Sequence, residues 1–328
     1  MRRPALAAVS LSVLAALFFT ATYVLNRAMA IGGGHWAWSA ALRYLFTLPL
    51  LALVLPWQGG FAPVWRALRT HPGPWFVWSG VGFGLFCVCL TWAAASGPAW
   101  LVAGTFQLTV IAGMLLAPFI YRDYRARLPR AALALGVWIV IGVALMQFGH
   151  FAGRLDRAAW FAFASVTLSA VLYPLGNRMI LLHLEHTGER LGATQRVFGM
   201  TLASQPVWLV LAAGAGIGTG LPPVSQIAGA AGVALFAGTI ATILFFRATG
   251  IVRDDPSALG AVEAMQAAEI LFSTMLGVVA LGEAPPHGRA MLGALMVVAG
   301  IVALGVLVGR RAAGDAPSAR ALGTDRGA

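Results

Sequence analysis

The sequence predicts an all-α integral membrane protein, with ten transmembrane helices forming two inverted five-helix repeats. Three observations predict it. The composition is 59% apolar and only 10% charged, with a mean hydropathy of +0.82, whereas a soluble chain carries about 25% charged residues. Apolar runs of roughly membrane-spanning length recur along the chain. Two stretches about 150 residues apart also read as copies: Tyr23-Val24-Leu25-Asn26-Arg27-Ala28-Met29 and Pro174-Leu175-Gly176-Asn177-Arg178-Met179-Ile180. The echo continues at Arg43 and Arg196, Pro98-Ala99-Trp100-Leu101 and Pro256-Ser257-Ala258-Leu259, Gln107 and Gln266, and Asp123 and Glu283. A duplicated unit with an odd number of crossings lies upside down relative to its twin, as in secondary transporters.

The ten expected spans, in order, are 5–29, 36–56, 74–95, 98–121, 130–149, 158–181, 193–214, 225–248, 256–282 and 288–309. The first begins with Arg2-Arg3 and imitates a secretory signal. Its apolar run from Ala5 to Leu25 is too long for a signal core, however, and it has a counterpart at 158–181. We read it as a mature helix. Short connections rich in Gly, Pro and Arg leave no room for a soluble domain. The repeats are then 1–150 and 151–309, followed by a disordered tail at 310–328.

All 22 basic residues are arginine. Most fall in short connections, a pattern that orients a membrane protein rather than one that grips nucleic acid. With the N-terminus in the cytoplasm, the inner side holds Arg2, Arg3, Arg66, Arg69, Arg122, Arg125, Arg127, Arg130, Arg190, Arg253, Arg310 and Arg311. The outer side holds Arg154, Arg157 and Arg289, with Arg27 at its boundary. Both termini are therefore expected to be cytoplasmic. Trp36, Trp38, Trp57, Trp75 and Trp100 mark span ends, where amphipathic rings favour the interface. Gly80 and Gly84 form a small-xxx-small pair suited to close helix contact. Cys87 and Cys89 point apart on a helix and read as packing residues.

An ionisable group deep in a membrane helix costs at least about 2.5–3.5 kcal/mol, so it is a functional candidate. Glu263, Gln266 and Glu269 share one helix face at a spacing of three. Counting about 1.5 Å per residue from Pro256 puts Glu269 roughly 20 Å deep, near the midplane. Two readings stand for these carboxylates. They could bind substrate or a proton, or they could pair with arginines and hold helices together, Arg43 suiting Glu269 and Arg196 suiting Glu263. Asn26-Arg27 and Asn177-Arg178 could gate opposite mouths, or the arginines could simply reach back to water. Gln107 is the uncharged counterpart on segment four, able to bond substrate or bridge helices. His183 and His186 flank Glu185 in an expected connection and read as solvated residues. No metal set, phosphate-cradling loop or cofactor motif is recognised.

Segment nine, Ser257 to Phe272, closes at Leu281-Gly282-Glu283. It resembles the penultimate helix of ten-helix transporters in the drug/metabolite transporter superfamily. Asn26-Arg27, Trp38 through Arg43-Tyr44, and Gly97-Pro98-Ala99-Trp100 resemble its multidrug resistance efflux transporter family. The resemblance extends to about residue 309 and implies a gradient-driven inner-membrane carrier that exports small molecules. The first-helix glutamate of the four-helix members has no counterpart; segment one offers Ser10, Ser12, Thr20, Thr22, Tyr23 and Asn26 instead. The expected function is export of drugs or metabolites. The same superfamily also offers a metabolite facilitator or exchanger. Outside transport, the competitors are an intramembrane enzyme, for which no buried nucleophile-base pair is recognised, and a membrane scaffold. The expected partners are a small-molecule substrate and the bilayer; a homodimer is open to the chain, nucleic acid is not.

Overall fold

The computed structural model describes residues 2–94, 97–123, 126, 130–150, 157–252, 262 and 265–314. The described residues are helical or turn, with no strand among them. In hydrocarbon every backbone N–H and C=O must be satisfied within the chain, and helices do this locally. In order, they are α1 (Arg2–Phe19), α2 (Ala21–Ile31), α3 (Trp36–Val54), α4 (Ala62–Thr70), α5 (Pro72–Ser79), α6 (Phe86–Ala93), α7 (Ala99–Phe106), α8 (Leu108–Ile120) and α9 (Arg130–His150). Then come α10 (Arg157–Thr187), α11 (Ala193–Ala203), α12 (Gln205–Thr219), α13 (Val224–Val233), α14 (Thr242–Ile251), α15 (Ala268–Leu281) and α16 (Gly288–Gly314).

Among the described residues, 7 helices are long and apolar enough to cross a membrane, or up to 8 if the α11–α12 pair, bent by 43°, is one span. Two shorter apolar helices, Leu133–Gly149 and Met265–Leu281, stand where the fifth and ninth spans were expected. Residues 253–261 and 263–264 lie outside the described residues, and Glu263 with them. Prolines set several starts: Pro98 and Pro223 are extended N-caps, where the missing N–H costs nothing.

Two wide π-helical turns, Gly80–Leu85 and Ala234–Ala241, join α5 to α6 and α13 to α14. The packing scheme is regular. Helix α1 lies on α14 and α10 on α6; α3 pairs with α12, α7 with α15, and α9 with α16. A core of Tyr44, Trp75, Phe83, Phe86, Ile180 and Trp208 joins α3, α5, α6, α10 and α12. Another, around Trp100, Ile139, Met146, Ile270 and Val297, joins α7, α9, α15 and α16.

Backbone-to-backbone contact occurs where α10 crosses the first π turn. A Cβ on Gly82 would sit 2.9 Å from the Cα of Gly176. A Cβ on Gly142 would sit 2.9 Å from the Gly293 carbonyl, where α9 meets α16. The small-residue pair expected at Gly80 and Gly84 is not the contact: Gly80 faces open space and Gly84 touches Val207 at ordinary distance. The π turn re-phases the helix and presents Gly82 instead. Two tryptophans expected at the interface are also core residues. Trp75 is 0% exposed and Trp100 1%, whereas Trp57 fits the boundary at 81%. His183 and His186 belong to α10, not to a connection, and the His183 ring lies 5.1 Å from that of His71.

Candidate functional site

Helix α1 ends at Phe19, and α2 resumes after Thr20. This sets Tyr23 and Asn26 into the interior, 4% and 3% exposed. The Tyr23 hydroxyl donates to Oε2 of Glu269 at 3.0 Å across 246 residues of chain. Glu269 occupies the first turn of α15, where the positive end of the helix dipole favours a carboxylate. Ahead of it, Met265–Ala267 form a short 3₁₀ turn containing Gln266. In segment four, the helix is likewise interrupted at Gln107, which is 3% exposed between α7 and α8. Segments four and nine are thus interrupted like segment one, and each of their two interruptions carries a sequence-predicted glutamine.

A run of rings packs beside Tyr23, the partner of this carboxylate. Phe106 lies 6.4 Å from Tyr23, 5.7 Å from Phe86 and 6.1 Å from Tyr173; Phe86 lies 5.0 Å from Tyr173. These separations are typical of tilted and edge-to-face aromatic contacts. Tyr173 is 39% exposed, whereas Phe86 is buried. Arg43 stands behind, 9% exposed, with its guanidinium 5.6 Å from the Tyr44 ring. It lies within electrostatic range of both Tyr23 and Tyr173. No ion pair joins Arg43 to Glu269 among the described residues; Tyr23 is the partner of the carboxylate. Arg196 on α11 lies within range of Tyr173, and its Nε is buried with no partner. The structure thus brings Glu269, Arg43 and Arg196 to one cluster, with Gln107 at the adjoining break.

The Asn-Arg pairs lie apart from that cluster. Arg27 Nε donates to Glu283 Oε1 at 3.2 Å. Glu283 also accepts from the Ala99 amide, through Oε1 at 3.2 Å and Oε2 at 3.0 Å, and so caps the start of α7. Gly282 makes this possible: its φ of 65° turns the chain back at the end of α15. Trp100 Nε1 donates to the Ala284 carbonyl at 3.2 Å beside it. Arg178 has a different environment, 5.9 Å from the Tyr121 ring and alongside Gly113. The Asn177 side chain donates to the Tyr173 carbonyl at 2.8 Å.

Two residues that make these contacts escaped the sequence reading. Tyr23 stood among the polar residues of segment one with no sign of a partner. Glu283 carried a signal, the Gly-Glu ending of segment nine, but no pattern pointed from there to Arg27.

The model of a family described as "EmrE: Putative multidrug resistance efflux transporter" matches residues 6–310. The chain belongs to this family. Its match covers every helix of the site and supports membrane transport of the drug/metabolite type. Uncharacterized protein YjlA of Bacillus subtilis (strain 168) is 43% identical over 304 residues, covering 90% of this chain and 93% of that one. An uncharacterized 42.1 kDa protein from the intracellular alkaline protease 3′ region of Shouchella clausii is 41% identical over 276 residues, covering 82% of this chain and 72% of its own. A solved structure described as "Crystal structure of protein" covers 93% of this chain and 98% of its own at a TM-score of 0.57. At 17% identity it shows a shared fold.

Proposed function

We propose that this chain is a secondary active transporter that exports small organic molecules across the inner membrane by alternating access. The observation that carries the reading is the buried Tyr23–Glu269 hydrogen bond, with the Phe106 ring packed on Tyr23 and interruptions in segments one, four and nine beside it. Broken helices at mid-membrane are how transporters present polar groups to a substrate without leaving backbone unsatisfied in lipid. A carboxylate held there can load and release a proton as the site changes sides.

Ten spans in two inverted repeats, with both termini cytoplasmic, complete the proposal. The packing scheme supports it. Exchanging each first-half helix for its second-half counterpart turns the α1–α14 contact into α10–α6, and the α2–α15 contact into one between α10 and segment four. The α3–α12, α7–α15 and α9–α16 pairs map onto themselves. In this arrangement, Arg27–Glu283 closes the outer mouth, and Asn177-Arg178 flanks the inner one. A metabolite facilitator of the same superfamily would use the same buried cluster without proton coupling.

The test is flux through the purified full chain in liposomes under an imposed pH gradient, with a panel of drugs and small metabolites. The proposal expects gradient-dependent movement of at least one panel member, abolished in Glu269→Gln. Flux that persists in that variant with unchanged pH dependence would remove the proton role. No flux for any member would favour a scaffold.

A further inference from the structure

We infer that Arg43 is the anchor for a carboxylate on the transported molecule, so that the site takes organic anions or zwitterions with a ring-sized apolar body. The inference rests on the transporter reading above and names its substrate class.

Arg43 is nine-tenths buried, yet its Nη1 has no hydrogen-bond partner. A buried donor left unmade costs about 1–3 kcal/mol, and more when it is charged. The nearby acid does not relieve it, because Glu269 is engaged by Tyr23 and forms no ion pair with Arg43 among the described residues. The rest of the guanidinium is braced: the Tyr44 ring lies 5.6 Å away and the Cys87 thiol faces it. Tyr44 is itself fixed by stacking on Trp208, with centroids 4.5 Å apart and planes 2° from parallel. A rigid planar fork with a free donor suits a carboxylate better than any neutral acceptor.

The charge balance points the same way. Tyr173 lies within electrostatic range of one carboxylate, Glu269, and of two guanidiniums, Arg43 and Arg196. Arg196 also has a buried unpartnered donor, its Nε. Among the described residues, one negative and two positive groups favour an incoming negative charge. Phe86, Phe106 and Tyr173 pack on one another, and Tyr173, which is 39% exposed, offers a ring to an apolar body.

The experiment uses the purified full-length chain in detergent at neutral pH, with binding read by calorimetry. The probes share one ring-bearing body: 3-phenylpropionate, 2-phenylethylamine and 2-phenylethanol. The wild-type chain is expected to bind the carboxylate about tenfold or more tighter than the amine or the alcohol. Arg43→Gln should weaken the carboxylate by about tenfold or more while leaving the alcohol unchanged. Arg43→Lys should recover part of that loss, and it serves as the test if the glutamine variant does not fold. Tighter binding of the amine, no binding of the carboxylate, or equal carboxylate affinity in all three proteins would overturn the inference. Vesicle flux with another substrate would leave the transporter reading standing in each of those cases.

Discussion

The same Asn-Arg dipeptide occurs in α2 and in α10, and the two copies have opposite surroundings. Asn26 is 3% exposed, and Arg27 is tied to a carboxylate that also caps α7. Asn177 is half-buried, and Arg178 rests over the Tyr121 ring, with no ion pair to it among the described residues. Just before them, the contrast runs the other way. Leu25 packs its side chain towards Gly232, whereas Gly176 meets Gly82 backbone to backbone. One copy is held by charge and capping, the other by close helix crossing. An ion pair can open when water or a substrate competes for it, while a glycine crossing acts as a pivot. The same dipeptide is thus held by charge in α2 and sits beside a close backbone crossing in α10.

Substitutions at each end sharpen that comparison. The largest effect is expected for Glu283→Ala, which removes both the Arg27 partner and the α7 cap from a carboxylate only 6% exposed. It should cost about 2–5 kcal/mol, read as a lower melting temperature in detergent. Next is Gly176→Ala, whose new Cβ must displace the Gly82 backbone. We expect a loss of about 1–3 kcal/mol, whereas Gly80→Ala, which faces open space, should leave the melting temperature within error. Smallest is Arg178→Gln, which forfeits a cation–π contact of about 0.5–1 kcal/mol. Equal losses for Glu283→Ala and Arg178→Gln would erase the distinction between the ends.

Much of the fold was legible because apolar length is a strong signal: among the described residues 7 helices, or 8 with the bent pair, are long and apolar enough to cross, and shorter apolar helices stand at the fifth and ninth expected spans. The interruptions were not. A stop at Gln107, a 3₁₀ turn at Met265–Ala267 and two π turns leave the apolar pattern of the sequence unchanged. The expectation that Glu263, Gln266 and Glu269 share a face assumed one continuous helix, and the 3₁₀ turn alters the angle between Gln266 and Glu269. In the site, Glu269, Arg43 and Arg196 could be named because a buried charge is conspicuous. Their partners could not, since Tyr23 reaches Glu269 through tertiary packing alone. Trp75 and Trp100 show the same limit: position near a span end cannot tell a ring that faces lipid from one that faces a neighbouring helix.

We propose that the Arg27 end is shut by its bond to Glu283 while the Arg178 end, with no ion pair among the described residues, is the open one. Single cysteines placed at Asn26 and Asn177, in a chain whose Cys87 and Cys89 are replaced by alanine, test it by their rate of reaction with a membrane-impermeant thiol reagent applied from each side. The account predicts fast labelling of Asn177→Cys from its own side and protection of Asn26→Cys from both, with Glu283→Gln releasing that protection. Equal labelling of the two cysteines, or protection of Asn26→Cys that survives Glu283→Gln, would contradict it.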